Sequence, residues 1–370
     1  MSEQRVNATS AGSDSSSTEL ESPEAIGAVD AILAGVGLQH GRRATRTDSW
    51  HAGERRKTPR QMAVRAPDTT SDVQPGIERV AGWDRFPWLR AGFSTRQGGG
   101  STIYGEAEQN LGCTREDDPQ TVADNRARFV AAVAGDATMQ LVTSHQIHGG
   151  LIRDLEVEHL ELEPEALMTA GGKATRRADG LLSRSPGRLL GILTADCVPV
   201  LVADTRTHAV AAFHAGWRGT LARIVERGIG SLRLRYGSRP EDLIAAIGPA
   251  IGACCYSVSE EVRFDFESQF SYAPSLFSEL YDSDPVRDKY PLLFLTARAP
   301  GHSNIGPQIH LNLPESNRHQ LLDAGLRPEN ISILAECTAC SRLPNGRRKY
   351  YSHRDEHGFA GRMLSVIGSV

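Results

Sequence analysis

The chain has 370 residues, 39% of them hydrophobic and 23% charged, with a formal net charge of -4 and a pI near 6.3. That apolar content is enough for one large core or two smaller ones, and the mild negative charge offers no general attraction to nucleic acid or to an anionic membrane. No run of about 18 apolar residues marks a membrane span, and six cysteines are too few at this length for a disulfide scaffold.

Residues 1 to about 77 are Ser-rich ("ATSAGSDSSSTELESPE") and then basic ("GRRATRTDSWHAGERRKTPR"). Such composition cannot offset chain entropy by apolar burial, so a disordered tail is expected. Within it, "AIGAVDAILAGVGL" has the length of a signal core. It contains Asp30 and follows Glu19, Glu21 and Glu24 without a basic leader, so a cytoplasmic location is expected.

From residue 78 to 370 the pattern is that of a single globular domain. "AGFSTRQGGGS" reads as a short strand running into a glycine-rich loop. In "DDPQTVADNRARFVAAVAG", Asp118 suits an N-cap and Pro119 the first helical position, and Val122, Phe129, Val130 and Val133 share one face. "MQLVTSHQIHG" reads as a strand with a polar tip, and "ADGLLSRSPGRLLGILT" as two strands joined around Pro186-Gly187. The continuous runs "VPVLVA" and "HAVAAFHA" predict buried strands. Leu221, Ile224, Val225, Ile229 and Leu232 then take helical spacing, with Thr220 as a cap. "EDLIAAIG" and "ISILAE" read as strands, and "PESNRHQLLDAGL" as a helix stopped by Gly325. The segment 270–308 has weak periodicity and is expected to be a surface insertion. The C-terminal "YYSHRDEHGFAGRMLSVIG" mixes His353, Arg354, Asp355 and Arg362 with aromatics and reads either as the lining of a site or as a charged hairpin before a final helix. Interspersed strands and helices predict an α/β fold of packed mixed β-sheets flanked by helices.

Candidate chemistry sits at the ends of apolar runs. His145 and His148 lie in "SHQIHGG", Cys197 in "TADC" and His214 in "FHAGWRG". Zinc takes thiolate and imidazole, and a catalytic zinc keeps three protein ligands and an open position. Cys197 and His214 equally fit two packing residues or a thiolate–imidazole nucleophile pair. Two glycine-rich segments, "TRQGGGS" with Arg96 and "HAGWRGT" with Arg218, offer backbone N–H groups and a guanidinium to an anion. Cys337 and Cys340 form a CxxC with no second CxxC or histidine pair in sequence to complete a zinc site. The adjacent Cys254 and Cys255 are expected to be buried beneath a turn.

Ten strings in order over about residues 92–363 carry a resemblance: "FSTRQGGGS", "NLG", "DNRARF", "HQIHG", "ADGLLS", "TADCVPVLVAD", "HAVAAFHAGWRGT", "IGPAIGACCYSV", "HLNLPESNRHQLLDAG" and "YYSHRDEHGFAGRM". Together they resemble the YfiH-like laccase-domain family, also called multicopper polyphenol oxidase-like and regarded as purine nucleoside phosphorylases. The resemblance implies a zinc site of His148, Cys197 and His214, with copper the less suited ion. It also implies phosphorolysis of adenosine, inosine, guanosine and S-methyl-5'-thioadenosine, with adenosine deaminase activity. Partners would be a nucleoside and inorganic phosphate, with no nucleic acid and no membrane. Arg96, Arg218 and Gln146 are then candidates for substrate and phosphate, Asp196 for orienting a ligand or moving a proton beside Cys197 and His214, and Tyr256 and Tyr351 for stacking on a purine.

Departures from the family pattern, at Asn312, at His353-Arg354 and in the 270–308 segment, bear on substrate preference and leave the zinc triad intact. The competing readings are an amide hydrolase acting on a peptidoglycan precursor through zinc-activated water or a Cys197/His214 pair, and an oxidase. The oxidase would need more histidine ligands than these strings supply.

Overall fold

The computed structural model describes residues 74–156, 174–280, 308–334 and 336–370. The expected tail up to residue 73 and the 281–307 part of the expected insertion lie outside the described residues. The described residues belong to one compact unit.

Two sheets stack face to face. The first runs in the order β1 (Ile77–Glu78), β2 (Leu89–Ser94), β15 (Met363–Ser369), β7 (Arg188–Thr194), β4 (Gln140–Thr143). The second runs β14 (Ile331–Ile333), β10 (Leu243–Ile247), β8 (Val198–Asp204), β9 (Val210–Ala215), β6 (Gly180–Ser183), β5 (Ile152–Asp154). Strand β3 (Gln97–Ser101) lies outside both. Both sheets mix parallel and antiparallel neighbours: β4 and β7 are parallel, whereas β8 and β9 are antiparallel. The expected mixed-sheet α/β class is what the chain adopts.

The period-2 alternation of a strand sends successive side chains to opposite faces, and the central strands of the second sheet are apolar on both. Val198, Val200, Val202, Ala211, Phe213 and Ala215 face a helical layer. Leu201, Ala203, Val210 and Ala212 face the first sheet, meeting Phe93, Leu190, Ile192 and Ile367. This explains why "VPVLVA" and "HAVAAFHA" read as unbroken apolar runs.

Helix α1 (Pro119–Ala134) covers the outer face of the first sheet, where Phe129 and Val133 pack on Leu189, Leu364 and Val366. Its N-cap is Asp118, whose carboxylate accepts the Thr121 N–H at 2.8 Å. A short helix α2 (Trp217–Leu221) leads into α3 (Ile224–Tyr236), followed by α4 (Glu260–Gln269) and α5 (Leu313–Asp323) on the outer face of the second sheet. Thr220 lies inside α2 rather than capping a longer helix, and its Oγ1 accepts from Asn317 Nδ2 at 3.1 Å. Gly325, at φ +95°, follows α5 as its stop. Gly228 lets α3 press on β9, since a Cβ there would sit 2.1 Å from Phe213 Cζ.

Three expectations are corrected. "QGGGS" is strand β3 rather than a loop, bridged to Glu108. A Cβ on Gly99 would lie 2.1 Å from the Glu108 carbonyl, so this close backbone approach and not an anion nest requires glycine. The C-terminal segment is strand β15, paired on both sides, because its alternating side chains are buried between α1 and the second sheet. The start of the 270–308 segment is no surface insertion: Phe270, Ala273 and Leu276 are core residues. Phe277–Leu280 forms β12, which pairs with β13 (Gln308–Leu311) and, beyond it, β11 (Ser257–Val258) in a third sheet.

Candidate metal centre

Strand β8 starts one residue after Cys197, and β9 carries His214 one residue before its end. The two strands are antiparallel, with Val198 opposite Ala215 and Pro199 opposite His214, so thiol and imidazole meet at one end of this central strand pair. His148 arrives from the segment after β4, in left-handed backbone at φ 56°. The ligand atoms of His148, Cys197 and His214 all lie within 4.8 Å of one another. The two imidazoles meet edge to face, with centroids 4.8 Å apart.

Asp179, to which no role was assigned from sequence, holds this arrangement. It is fully buried just before β6. Its Oδ1 accepts the Ile147 and His148 N–H groups at 3.1 and 2.9 Å, and its Oδ2 accepts Gly149 N–H at 2.9 Å. Oδ1 also takes the Nδ1 of His214 at 2.9 Å. One carboxylate therefore fixes the ring of one histidine and the backbone of the other, and leaves His214 Nε2 for a ligand. A carboxylate behind a ligating imidazole is the usual outer partner at a metal site.

The electrostatics favour a thiolate. Burial alone would push the Cys197 thiol up, but the His214 imidazolium and hydrogen bonds from His148 and His214 outweigh it and bring it down to about 6. Burial likewise disfavours a charged His214, yet the Cys197 thiolate and the Asp179 carboxylate raise it to about 9. Both shifts come from the same charge pairing. A metal ion held by the trio would supply that positive charge in place of the proton.

The donor set fits a single zinc-class ion: two imidazoles, that of His214 backed by a carboxylate, and one thiol ready to ionise. Gly216 keeps the approach open, because a Cβ there would stand 3.0 Å from Cys197 Sγ and 3.6 Å from His148 Cδ2. The donor set does not fit a cluster of several copper ions. Among the described residues the potential ligand groups are this trio and a group of four cysteines, whereas such a cluster draws on many more imidazoles.

The trio lies on the wall of a cavity of about 660 Å³, within the range of small-molecule sites. Arg115, Arg126, Arg354 and Arg362 line it, together with His145, His353 and Tyr256. The Arg354 guanidinium lies over the Tyr256 ring at 5.2 Å. Arg354 and Arg362, with His353, stand in the C-terminal segment that the sequence offered as a site lining, whereas Arg115 and Arg126 carry no anion-site pattern in the sequence.

The other predicted residues are placed as follows. Gln146 lines the cavity, but its amide is spent on the backbone of Leu193, donating to its carbonyl at 2.7 Å and accepting its N–H at 2.8 Å. Asp196, at φ 96°, accepts the Thr338 hydroxyl and the Arg354 N–H, both at 2.7 Å, so it positions the cavity wall beside Cys197. Arg218 is exposed over Trp217 at 4.1 Å and outside the cavity lining, and the five-residue α2 offers no extended helix terminus to an anion. Tyr351 is fully buried beneath Arg96 and cannot stack on a ligand, whereas Tyr256 reaches the cavity. His145 lines the cavity without joining the trio.

Arg96 is corrected most sharply. It is buried, paired with Glu108 and with Glu356 at 2.7 Å, and bonded to the Tyr104 carbonyl at 2.7 Å. Each of its three guanidinium nitrogens is bonded inside the fold. Arg96→Ala leaves Glu108 with Arg347, and Glu356 with Arg348 and the Ser352 N–H, as remaining partners, and is expected to cost about 1–3 kcal/mol in chemical denaturation. The half-saturating phosphate concentration of the surviving folded protein should stay unchanged, and a several-fold rise in it would restore Arg96 to the site.

Residues 90–369 match the model of the family described as multi-copper polyphenol oxidoreductase laccase. The chain belongs to this family. It is 31% identical over 296 residues, covering 79% of this chain and 96% of the relative, to a protein named purine nucleoside phosphorylase YlmD from Geobacillus stearothermophilus. It is 35% identical over 198 residues, 54% of this chain and 73% of the relative, to one named purine nucleoside phosphorylase YfiH from Escherichia coli. The crystal structure of a Bacillus licheniformis hypothetical protein YfiH superposes with a TM-score of 0.63 at 29% identity, covering 80% of this chain and 96% of that one. The ten strings that carry the resemblance fall within or overlap the matched span.

Proposed function

We propose that the chain is a zinc-dependent purine nucleoside phosphorylase acting on adenosine, inosine, guanosine and S-methyl-5'-thioadenosine, with adenosine deaminase activity. The observation that carries this reading is the His148–Cys197–His214 trio on the wall of a nucleoside-sized cavity lined by arginines. The names of the relatives support the reaction class.

In phosphorolysis an oxygen of phosphate attacks the anomeric carbon while the bond to the purine nitrogen breaks, and the base leaves with the bonding pair. The protein must hold a dianion beside a ribose acquiring positive character, which is positioning and electrostatic work. Arg115, Arg126, Arg354 and Arg362 take the phosphate role first sought in Arg96 and Arg218. Tyr256, backed by the Arg354 guanidinium, offers a ring face to the purine. His148, Cys197 and His214 would hold zinc, which when bound supplies Lewis acidity to stabilise negative charge on a nearby oxygen.

A second reading has its own observation. Cys197, His214 and Asp179 form a thiol–imidazole–carboxylate series, the order of a cysteine nucleophile with its base and orienting acid. An amide hydrolase acting on a peptidoglycan precursor would use it.

One experiment tests both. The purified protein is assayed for bound metal, then incubated with adenosine with and without phosphate. Ribose-1-phosphate formed only with phosphate, and lost on chelation, is expected. Inosine formed from adenosine in the absence of phosphate reports the deaminase. A metal-free preparation with full activity that alkylation of Cys197 destroys would overturn the zinc reading, and activity confined to a muropeptide precursor would install the amidase.

A further inference from the structure

Away from the trio, four cysteines from two distant segments converge. Cys254 and Cys255 lie in the turn after "IGPAIGA", and Cys337 and Cys340 form the CxxC. Their four sulfurs all lie within 4.8 Å of one another. Sequence alone showed no partner for the CxxC because the second pair is adjacent rather than spaced, and it sits more than eighty residues away. Nor is that pair buried beneath its turn: Cys254 is exposed and Cys255 half-exposed, while Cys337 is buried and Cys340 exposed.

We propose that Cys254, Cys255, Cys337 and Cys340 form a second, tetrathiolate zinc site with a structural role. A zinc–sulfur bond of about 2.3 Å in a tetrahedron sets sulfurs about 3.8 Å apart. Cys254 Sγ and Cys340 Sγ stand 3.6 Å apart, the spacing of a shared ion and far from that of an S–S bond.

The backbone is arranged for such an ion. The Ser341 N–H bonds the Cys337 carbonyl at 3.0 Å, turning the CxxC so that both its sulfurs face one side. The Cys255 and Tyr256 N–H groups both bond the Gly252 carbonyl at 3.0 Å, doing the same for the other pair. The Gly252 N–H donates to Cys337 Sγ at 3.2 Å, a bond that favours the thiolate form. The two segments are joined by a bridge between Ala250 and Cys337, and the Thr338 N–H bonds the Ala250 carbonyl at 3.0 Å.

Four sulfurs on one ion leave no open position, so the site is a clamp rather than a reactive centre. It fastens what adjoins it. Tyr256 and Ile251, on one clamped segment, line the cavity. Thr338, inside the CxxC, holds Asp196 beside Cys197, and the Ile251 N–H bonds the Asp196 carbonyl at 2.9 Å.

The test uses the full chain purified with reductant. Cobalt is loaded in place of zinc, and sulfur-to-cobalt charge transfer is recorded for the unaltered protein, for Cys197→Ser and for Cys340→Ser. Cys197→Ser is expected to keep the tetrathiolate spectrum, which separates this site from the trio, and Cys340→Ser to lose it with one equivalent of metal. Should Cys340→Ser fail to fold, alkylation of the unaltered protein decides. With zinc bound, the exposed Cys254 and Cys340 should resist iodoacetamide, and chelation should abolish that resistance. Equal alkylation with and without chelator, metal content unchanged in a folded Cys340→Ser, or a Cys254–Cys340 disulfide persisting under reductant would each overturn the proposal.

Discussion

Cys197→Ser is expected to lower kcat/KM for phosphorolysis by about a thousandfold, roughly 4 kcal/mol of transition-state stabilisation, and to remove the metal bound at the trio. Serine keeps the size of cysteine but replaces a thiolate with a hydroxyl that does not ionise near neutral pH. A three-ligand site that loses its only anionic donor keeps two imidazoles, too few for a catalytic zinc. The same substitution removes one of the two negative charges that raise His214, leaving the Asp179 carboxylate, so the imidazole should titrate lower than in the unaltered protein. NMR titration of the His214 ring in the chelated protein would read this directly. The side chain is half-buried and the change nearly isosteric, so the denaturation midpoint should move little. Metal content and kinetics together discriminate. Activity lost with the metal still bound would favour the nucleophile reading, and activity and metal both retained would remove Cys197 from the site.

What was legible in the sequence was what local chemistry decides. Asp118 and Pro119 announced α1 because an acceptor side chain and a fixed φ act within one helical turn. The apolar runs announced β8 and β9 because strands buried on both faces need no polar alternation. Errors came where a distant partner decided the outcome. "QGGGS" is a strand because Glu108 approaches its backbone. "MLSVIGS" is a strand because β2 and β7 stand open on either side of it. The two strands around Pro186-Gly187 were both foreseen, but they belong to different sheets, so that turn carries the chain between layers.

The site divides in the same way. His148, Cys197 and His214 were visible as soft donors at the ends of apolar runs, and the resemblance joined them. Their convergence depends on the pairing of β8 with β9 and on one carboxylate, neither of which has a local signature. Arg96 misled because a guanidinium beside glycines reads alike whether it faces an anion or two internal carboxylates; burial distinguishes them. Arg354 and Arg362 were visible in a charged, aromatic segment offered as a site lining, but their meeting with Arg115 and Arg126, like the four-cysteine group, is assembled by tertiary contact.

Asp179→Asn tests that carboxylate. The ionised side chain has two acceptor oxygens and no hydrogen to donate, which suits three backbone N–H groups and an imidazole N–H. Burial works against its charge, but the His214 imidazolium and the backbone donors hold it below the usual carboxylate range. Asparagine replaces one oxygen with an NH2 group. If that group points at Gly149, two donors face each other in a dry interior. If it points the other way, it meets the His148 N–H and the His214 Nδ1–H and forces His214 to the opposite tautomer, with its proton on the nitrogen meant for the ligand. Either orientation leaves a buried donor unmet, at about 1–3 kcal/mol, so the denaturation midpoint should fall. Metal affinity should fall about 10–100-fold, as for other outer partners of ligating histidines. Asp179→Ala should lose a similar share of metal while avoiding the wrong tautomer, so its activity at saturating zinc should exceed that of Asp179→Asn. Equal activities at saturation would mean that Asp179 serves the fold alone.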